Sequence, residues 1–167
     1  MFYSPKNNKK ALVVSAALLI IFSVLNSTAP HFKGYSGIVA AVSLFFVAAS
    51  LYLLIRFGVG KYSYEITENT LVITKTTGQK SVAVANLLLS MAYGVSKTPE
   101  NAAERSSFRE KYGTISAKMS CYHNLFAKTH LYVTEFNGKT YAFEIEIDDT
   151  FASALDGAIQ NARKDFY

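Results

Sequence analysis

The side chains in this sequence best suited to chemistry are a single cysteine and two histidines near it. Cys121 and His123 stand at i and i+2, and His130 follows soon after. On a strand the first two would point to the same face and could approach one metal ion. A closed zinc site takes four nitrogen or sulfur ligands, and this stretch offers three. We therefore expect isolated polar side chains on a sheet, and no metal site.

Nucleophilic and phosphate-binding chemistry also lacks the residues it needs. A Cys–His nucleophilic pair requires hydrogen-bond reach and a third, orienting group, whereas neighbours at i and i+2 on a strand point in parallel. The sequence has no GxSxG motif and no glycine-rich phosphate loop, and Glu144 and Glu146 are expected on the polar side of a strand. We predict no catalytic residue, no cofactor and no small-molecule substrate, so the chain is not expected to be an enzyme.

The positive charge of the chain lies in its first third. The net charge is +5, and the first 56 residues contain no acid, whereas the remaining 12 basic residues balance all 12 acidic ones. Nucleic-acid binding needs a surplus of positive charge on the folded domain. Residues 57–167 have no such surplus, so nucleic-acid binding is not expected. The five basic residues in that first segment are Lys6, Lys9, Lys10, Lys33 and Arg56.

Two uncharged apolar runs predict a pair of membrane spans. Residues 35–56 begin with a stretch, 35–55, that as a helix would be about 31 Å long, matching the hydrocarbon core of a bilayer. Residues 11–28 form a shorter run after the basic lead 1–10. The link 29–34 is expected to be a tight external turn. A cleavable signal peptide is the alternative for 11–28.

The basic residues flanking these runs predict an orientation. Lys and Arg cluster before the first run and after the second, so both termini are expected to be cytoplasmic, in the plasma membrane. A cleaved first segment would still leave the C-terminal domain inside. Small residues one turn apart predict helix-packing faces at Ala11/Ser15, Ser36/Ala40 and Gly37/Ala41.

After a glycine joint at 57–60, the apolar pattern changes from helical to alternating. A hairpin is predicted through residues 62–74, with a third strand near 81–84; residues 86–93 fit either a buried strand or a helical turn entering one. Residues 96–112 are strongly charged and predict an exposed excursion, with a short helix after Pro99.

The last third contains the clearest local signals. Asn137-Gly138 separates two alternating segments and predicts a tight type I′ hairpin. In its second strand alternate residues, Tyr141 to Ile147, are expected to face the core, with Ala142, Glu144 and Glu146 outside. Asp148 and Asp149 are expected to cap a C-terminal amphipathic helix whose apolar stripe is Phe151, Leu155, Ile159 and Ala162.

This order of elements resembles the bacterial pleckstrin-homology-like (PH-like) domain proteins that have two N-terminal transmembrane helices. The stretches that carry the resemblance are residues 62–74, the Asn137-Gly138 hairpin and the helix from Thr150. It implies a membrane helical hairpin plus an α+β domain at 61–167, a PH-like antiparallel β-barrel or sandwich capped by the C-terminal helix. The turn between the first two strands, 67–70, is acidic, unlike the basic loop of phosphoinositide-binding PH domains.

The expected function is therefore interaction at the inner face of the membrane. A protein partner or a second copy of the chain is the favoured ligand, bound at a sheet edge or at the 96–112 excursion. The alternatives are a sensor of anionic lipid head groups and an accessory subunit of a membrane transporter or enzyme. Candidate contacts with the membrane surface are Arg56, Lys61, Lys75 and Lys80.

Overall fold

The computed structural model describes residues 1–31 and 34–164, and it divides into two compact units. Unit 1 contains residues 1–6, 61–122 and the described residues from 127 onward; unit 2 contains Asn7–Gly60 and His123–Phe126. Phe32 and Lys33, in the predicted external link, and residues 165–167, at the end of the predicted domain, lie outside the described residues.

Helices and strands alternate irregularly along the chain. The helices are α1 (Lys10–Thr28), α2 (Ser36–Leu53), α3 (Ala102–Tyr112) and α4 (Asp149–Lys164). The strands are β1 (Phe2–Tyr3), β2 (Gly60–Ile66), β3 (Thr70–Thr77), β4 (Lys80–Leu88), β5 (Ala92–Lys97), β6 (Ile115–Cys121), β7 (His130–Phe136) and β8 (Lys139–Ile145).

Unit 2 is built on the antiparallel pair α1 and α2. Both helices, with the short turns that follow them, are long and apolar enough to cross a membrane, and only 11% of each apolar window is buried. The less exposed positions recur every three or four residues, which is the spacing of a left-handed helix pair. Among them are Ala11, Ser15, Leu18, Phe22, Leu25 and Ala29 on the first helix and its following turn, and Val39, Ser43, Phe46 and Ser50 on α2.

One predicted packing face is confirmed and the other is wrong. Ala11 and Ser15 are the buried residues of α1. On α2 the buried residues are Ser43 and Ser50, while the predicted Ser36/Ala40 and Gly37/Ala41 faces are exposed. Two packed helices meet along one seam, and on α2 that seam contains Ser43 and Ser50. The small residues near the start of α2 therefore lie outside the contact.

The joint between α2 and the first long strand is short. A π-helical turn covers Leu54–Gly58, and β2 begins at Gly60. Val59 alone separates these two elements, so most of the predicted glycine joint at 57–60 belongs to regular structure.

Unit 1 contains two four-stranded sheets and α4. The first sheet has the order β1-β2-β3-β4 and the second the order β5-β7-β8-β6. The predicted hairpin and third strand are present, and residues 86–93 divide into the end of β4, a 3₁₀ turn at Leu89–Met91 and the start of β5. An α+β architecture is therefore present.

The hydrophobic core of unit 1 lies among the two sheets and α4. Phe151, Leu155, Ile159 and Ala162 are all buried, as their spacing predicts. They pack with buried residues from both sheets, namely Tyr62, Tyr64, Leu71, Ile73, Leu89, Ala92, Cys121, Tyr132, Ile145 and Ile147. The N–H of Phe151 donates to Asp148 Oδ1 at 2.7 Å, which confirms the predicted cap.

The hairpin between β7 and β8 has the predicted turn. Asn137 and Gly138 have φ angles of 52° and 70°, the left-handed values that a type I′ turn requires. One pairing in the same sheet differs from expectation, because β6 pairs with β8 in parallel, whereas antiparallel strands were predicted throughout.

The charged segment 96–112 has a structural role that is not evident from its composition. The predicted helix is present as α3, and its Phe108 and Tyr112 pack against Leu131, Val133 and Ala142. The expectation that Ala142 faces outward is wrong, because α3 covers that side of β8. Residues 96–112 therefore cannot be treated as a detachable excursion.

The first six residues of the N-terminal lead belong to unit 1, which we call the β-domain. Phe2 pairs with Glu65 and Tyr3 with Tyr64, and the Tyr3 ring lies 5.3 Å from the ring of Phe151. The Met1 amino group donates to the Ile66 carbonyl at 2.7 Å. Residues 1–6 thus complete the first sheet, although no periodic pattern in the sequence marks them.

Candidate docking groove

An apolar groove opens in unit 1 where the end of β4 meets β7 and β8. Its volume is about 440 Å³. Apolar side chains dominate its lining, and Leu88, Met91 and Phe136 expose 46%, 41% and 57% of their surface at its rim. The lining residues are Asn86, Leu87, Leu88, Met91, Thr134, Glu135, Phe136, Tyr141 and Phe143.

Hydrogen bonds from β7 to the end of β4 and to the 3₁₀ turn that follows it support the groove. Thr134 Oγ1 donates to the Met91 carbonyl at 3.0 Å, and the Tyr132 hydroxyl donates to the Leu88 carbonyl at 3.0 Å. Burial raises the pKa of Tyr132, so this phenol remains a protonated donor at neutral pH. The groove walls are therefore fixed by contacts beneath the rim.

A charged contact lies beside the groove. The Tyr93 hydroxyl donates to Glu135 Oε2, and this hydrogen bond raises the pKa of Tyr93. Glu135 is the acidic member of an otherwise apolar and neutral lining. A ligand with a positive charge next to an apolar side chain would match this combination.

The strand that forms one wall of the groove is also a sheet edge. Among the described residues β4 has one neighbour, β3, so its outer backbone faces away from the sheet. Its first four residues, 80–83, are exposed, and Val82 exposes 61% of its surface. An extended peptide could add to such an edge.

Two other cavities flank α3, and both have more polar walls. One, of about 620 Å³, lies between β5 and α3, and the second, of about 530 Å³, lies between α3 and β6. Charged side chains such as Lys97, Glu104 and Lys111 line the first, and Arg105 and Lys118 line the second. The groove by β4 thus offers the more apolar binding surface.

Three of the predicted membrane-surface residues lie on the first sheet of unit 1. Lys75 and Lys80 are exposed on consecutive strands, and the Lys75 ammonium lies 5.7 Å from the centre of the Tyr62 ring. Lys61 is exposed on β2. Arg56 belongs to unit 2, where its guanidinium lies 5.0 Å from the centre of the Phe57 ring.

Of the candidate metal ligands, Cys121 and His130 lie in unit 1, whereas His123 belongs to unit 2. No group of three or more His, Cys, Asp or Glu side chains suited to a metal ion occurs within residues 1–31 and 34–164. Cys121 is a buried free thiol in the core of unit 1. His130 is buried too, with Nε2 3.5 Å from Asp149 Oδ1, and Lys97 Nζ approaches the same carboxylate oxygen at 3.2 Å.

A polar network lies where the sequence predicted an outward glutamate. Glu144 is 8% exposed; its carboxylate accepts a hydrogen bond from Thr129 at 2.8 Å and lies 3.0 Å from Lys118 Nζ. The expectation that Glu144 faces solvent is wrong because the side chains of Lys118, Ser120 and Thr129 contact its carboxylate. Lys118 lies on β6 and Thr129 immediately precedes β7, so this network links β8 to the chain on both sides of it.

Sequence reasoning did not identify the groove as a site. The apolar run at residues 86–93 fits either a buried strand or a helical turn, and this lack of regular alternation is the one signal in the sequence at the groove. No protein-family model, curated protein or solved structure matches the chain.

Proposed function

We propose that this chain is a membrane-anchored docking module whose β-domain binds a segment of a partner protein at the inner face of the bilayer. The observation that carries the proposal is the exposed apolar groove beside the free edge of β4. Contiguous exposed apolar surface on a soluble domain marks interaction sites. The accompanying edge gives a peptide backbone somewhere to pair.

The anchoring part of the proposal is supported by how α1 and α2 are covered. Most of their apolar side chains are exposed, and Ile20, Leu44 and Phe45 each expose more than three-fifths of their area. A core helix of a soluble protein would bury such residues, whereas lipid satisfies them in a span. The packing of α1 on α2 favours a retained first helix over a cleaved signal peptide.

The orientation is supported by charge and by connectivity. The basic residues that flank the helices favour a cytoplasmic location for both ends. The pairing of Tyr3 with Tyr64 requires that the chain before α1 and the chain after α2 lie on one side of any membrane that the helices cross. An even number of spans meets that requirement.

The partner that fits the groove is an extended peptide with an apolar anchor and a nearby cation. Main-chain hydrogen bonds to β4 would position the peptide, and a side chain such as Leu or Phe would occupy the groove. Glu135 supplies a negative charge for a Lys or Arg of the partner. The order of elements resembles that of PH-like domains, and this analogy supports an interaction role.

Photocrosslinking in the full chain tests this function. We would place p-benzoylphenylalanine at Met91, on the groove rim, and at Ser107, on the exposed side of α3, and irradiate cell membranes. A discrete product from position 91 that is absent from position 107 is expected. The product should disappear when Phe136 is changed to Asp, because a charge at the rim disfavours burial of an apolar anchor.

Three outcomes would overturn the docking proposal. These are no product from position 91, a product unaffected by Phe136→Asp, or a product with the mass of two copies of the chain, which would mean self-association. Circular dichroism and thermal unfolding of Phe136→Asp must match the parent chain. Phe136 is more than half exposed at the end of β7, so little loss of stability is expected.

A further inference from the structure

The loop between β6 and β7 contains a segment that packs with the helix pair. Residues 123–126 cluster with Asn7–Gly60, unlike the residues on either side of them. The N–H of Asn8 donates to Asn124 Oδ1 at 2.8 Å, and Asn8 Nδ2 donates to the Leu125 carbonyl at 3.0 Å. Because α1 begins at Lys10, these bonds hold the loop at the N-terminal end of that helix.

The next residue of the loop presents an aromatic ring to the surroundings. Phe126 exposes 74% of its surface, the largest fraction among the large apolar side chains of the described residues. Its φ angle is 58°, a left-handed value that a bulky side chain rarely adopts. Strain of this kind persists where the surrounding structure imposes it, and it often marks a functional position. Because the Phe126 ring is exposed, burial within the protein does not offset this backbone strain.

We infer that Leu125 and Phe126 form a third membrane contact, inserted at the interface of the bilayer beside the start of α1. The inference rests on the proposed membrane anchoring of α1 and α2. Aromatic rings are favoured at the level of the lipid head groups, where the ends of spans lie. Hydrogen bonds from Asn8 fix the loop two residues before the span, which places it at that level.

The charges at this end of α1 fit an anionic bilayer surface. Lys9 and Lys10 are both exposed and adjoin Asn8 in the chain. Basic residues next to a span attract anionic lipids, and an aromatic residue beside them adds apolar contact. The exposed Phe126 ring is thus predicted to contact lipid, and not the peptide proposed for the groove.

The absence of tryptophan from the sequence makes the inference directly testable. Single-tryptophan variants Phe126→Trp, Phe45→Trp and Phe136→Trp would be placed in the full chain and reconstituted into vesicles of neutral and anionic lipid. Lipids brominated at shallow or deep acyl positions then report depth through quenching. Phe45 lies within α2 and is 68% exposed, so it reports on the span itself.

We expect Phe126→Trp to lose about half of its emission to shallow bromines and much less to deep ones, as an interfacial ring would. Phe45→Trp should respond most to deep bromines, and Phe136→Trp to neither. Adding Asn8→Ala to Phe126→Trp removes the side-chain bond to Leu125 and should reduce the shallow quenching.

The outcomes separate the two ideas. If Phe45→Trp is quenched and Phe126→Trp is not, the loop contact is wrong while the span stands. If Phe126→Trp is quenched by shallow bromines and Phe45→Trp is unquenched, the loop binds lipid and the anchoring proposal fails. Quenching of neither residue overturns both.

Discussion

The phenol of Tyr64 on β2 donates a hydrogen bond to the carbonyl of Cys121, at the end of β6, over 2.5 Å. It also accepts a bond from the Glu146 N–H at 3.0 Å. One side chain of the first sheet therefore engages two backbone groups at the end of the second. Burial raises the pKa of Tyr64, which keeps this donor protonated at every physiological pH.

Tyr64→Phe should destabilise unit 1 by about 2 kcal/mol, because two buried backbone groups lose their shared partner. Tyr132→Phe is the matched comparison, since it removes one bond, to Leu88, and should cost about 1 kcal/mol. Chemical denaturation followed by circular dichroism measures both. Equal losses for the two variants would mean that the double contact of Tyr64 contributes nothing beyond a single bond.

The N-terminal strand gives a second prediction. A fragment beginning at residue 61 lacks Phe2 and Tyr3, which pair with β2, and lacks the contact between Tyr3 and Phe151. Joining residues 1–6 to residue 61 through a short Gly/Ser linker should restore these contacts without α1 and α2. We expect the joined form to melt about 5–10 °C above the fragment, corresponding to between one and two kcal/mol.

Tyr3→Ala in the joined form is the control for this comparison. This substitution should remove most of the increase in melting temperature, because the Tyr3 ring packs on Tyr64 and Phe151. A fragment from residue 61 that melts at the same temperature as the joined form would show that β1 is dispensable.

The helix pair supplies a third prediction. Ser50 Oγ donates to the Ser15 carbonyl at 3.1 Å, and Ser15 Oγ donates to the Ser50 carbonyl at 3.3 Å. Ser15→Ala and Ser50→Ala should each weaken the pair by about 0.6–1 kcal/mol, the usual size of polar contacts between spans. Titration of the full chain in mixed micelles with SDS, followed by near-ultraviolet circular dichroism, measures the loss.

Ser43→Ala is the internal reference for these serines. Ser43 is buried on the same seam, but its hydroxyl donates to Ala40 within α2, at 2.7 Å. Its removal should leave the helix pair nearly unchanged. A loss at Ser43 as large as that at Ser15 would attribute the effect to the seam generally and not to the reciprocal bonds.

His130 gives a prediction on pH. Burial lowers the pKa of His130 below its ordinary value of 6.5, against the opposing attraction of Asp149. The unfolded chain then binds more protons than the folded one just below that value, so stability should fall as the pH drops from about 7 to 5. His130→Gln should flatten this dependence while leaving stability near pH 8 little changed.

The titration of Asp149 lies outside the pH range of this experiment. Its hydrogen bond and ion pair with Lys97 lower the pKa of its carboxyl below 3.8, so its contribution is present above that value and is lost only in more acidic solution. Thermal unfolding of the joined domain across the pH range measures the slope. An unchanged slope in His130→Gln would assign the acid sensitivity to other groups.

The elements that the sequence predicts well are those whose cause is local. Asn137-Gly138 requires left-handed backbone whatever surrounds it, and the stripe from Phe151 to Ala162 needs a single apolar surface to cover it. Both are present as expected. In the same way, the cap of α4 is local, because the Asp148 carboxylate accepts from the N–H of Phe151, three residues further along the chain.

The features that escaped prediction depend on distant partners. Two residues, Phe2 and Tyr3, carry no periodic signal, and their strand exists because residues 64 and 65 pair with them. The burial of Ala142 depends on Phe108, which lies in a segment that looked merely solvated. The groove arises where the ends of β4, β7 and β8 meet, so no single stretch of sequence contains it.

The pairing of Tyr3 with Tyr64 also constrains the order in which the protein is made. β1 leaves the ribosome first, and its neighbour β2 follows only after both apolar helices have been synthesised. Contacts between such distant residues close late, since the chain between them must first be ordered. Under the proposed membrane anchoring, the first sheet could be completed during translation only after the helical hairpin has been inserted with both ends on the same side.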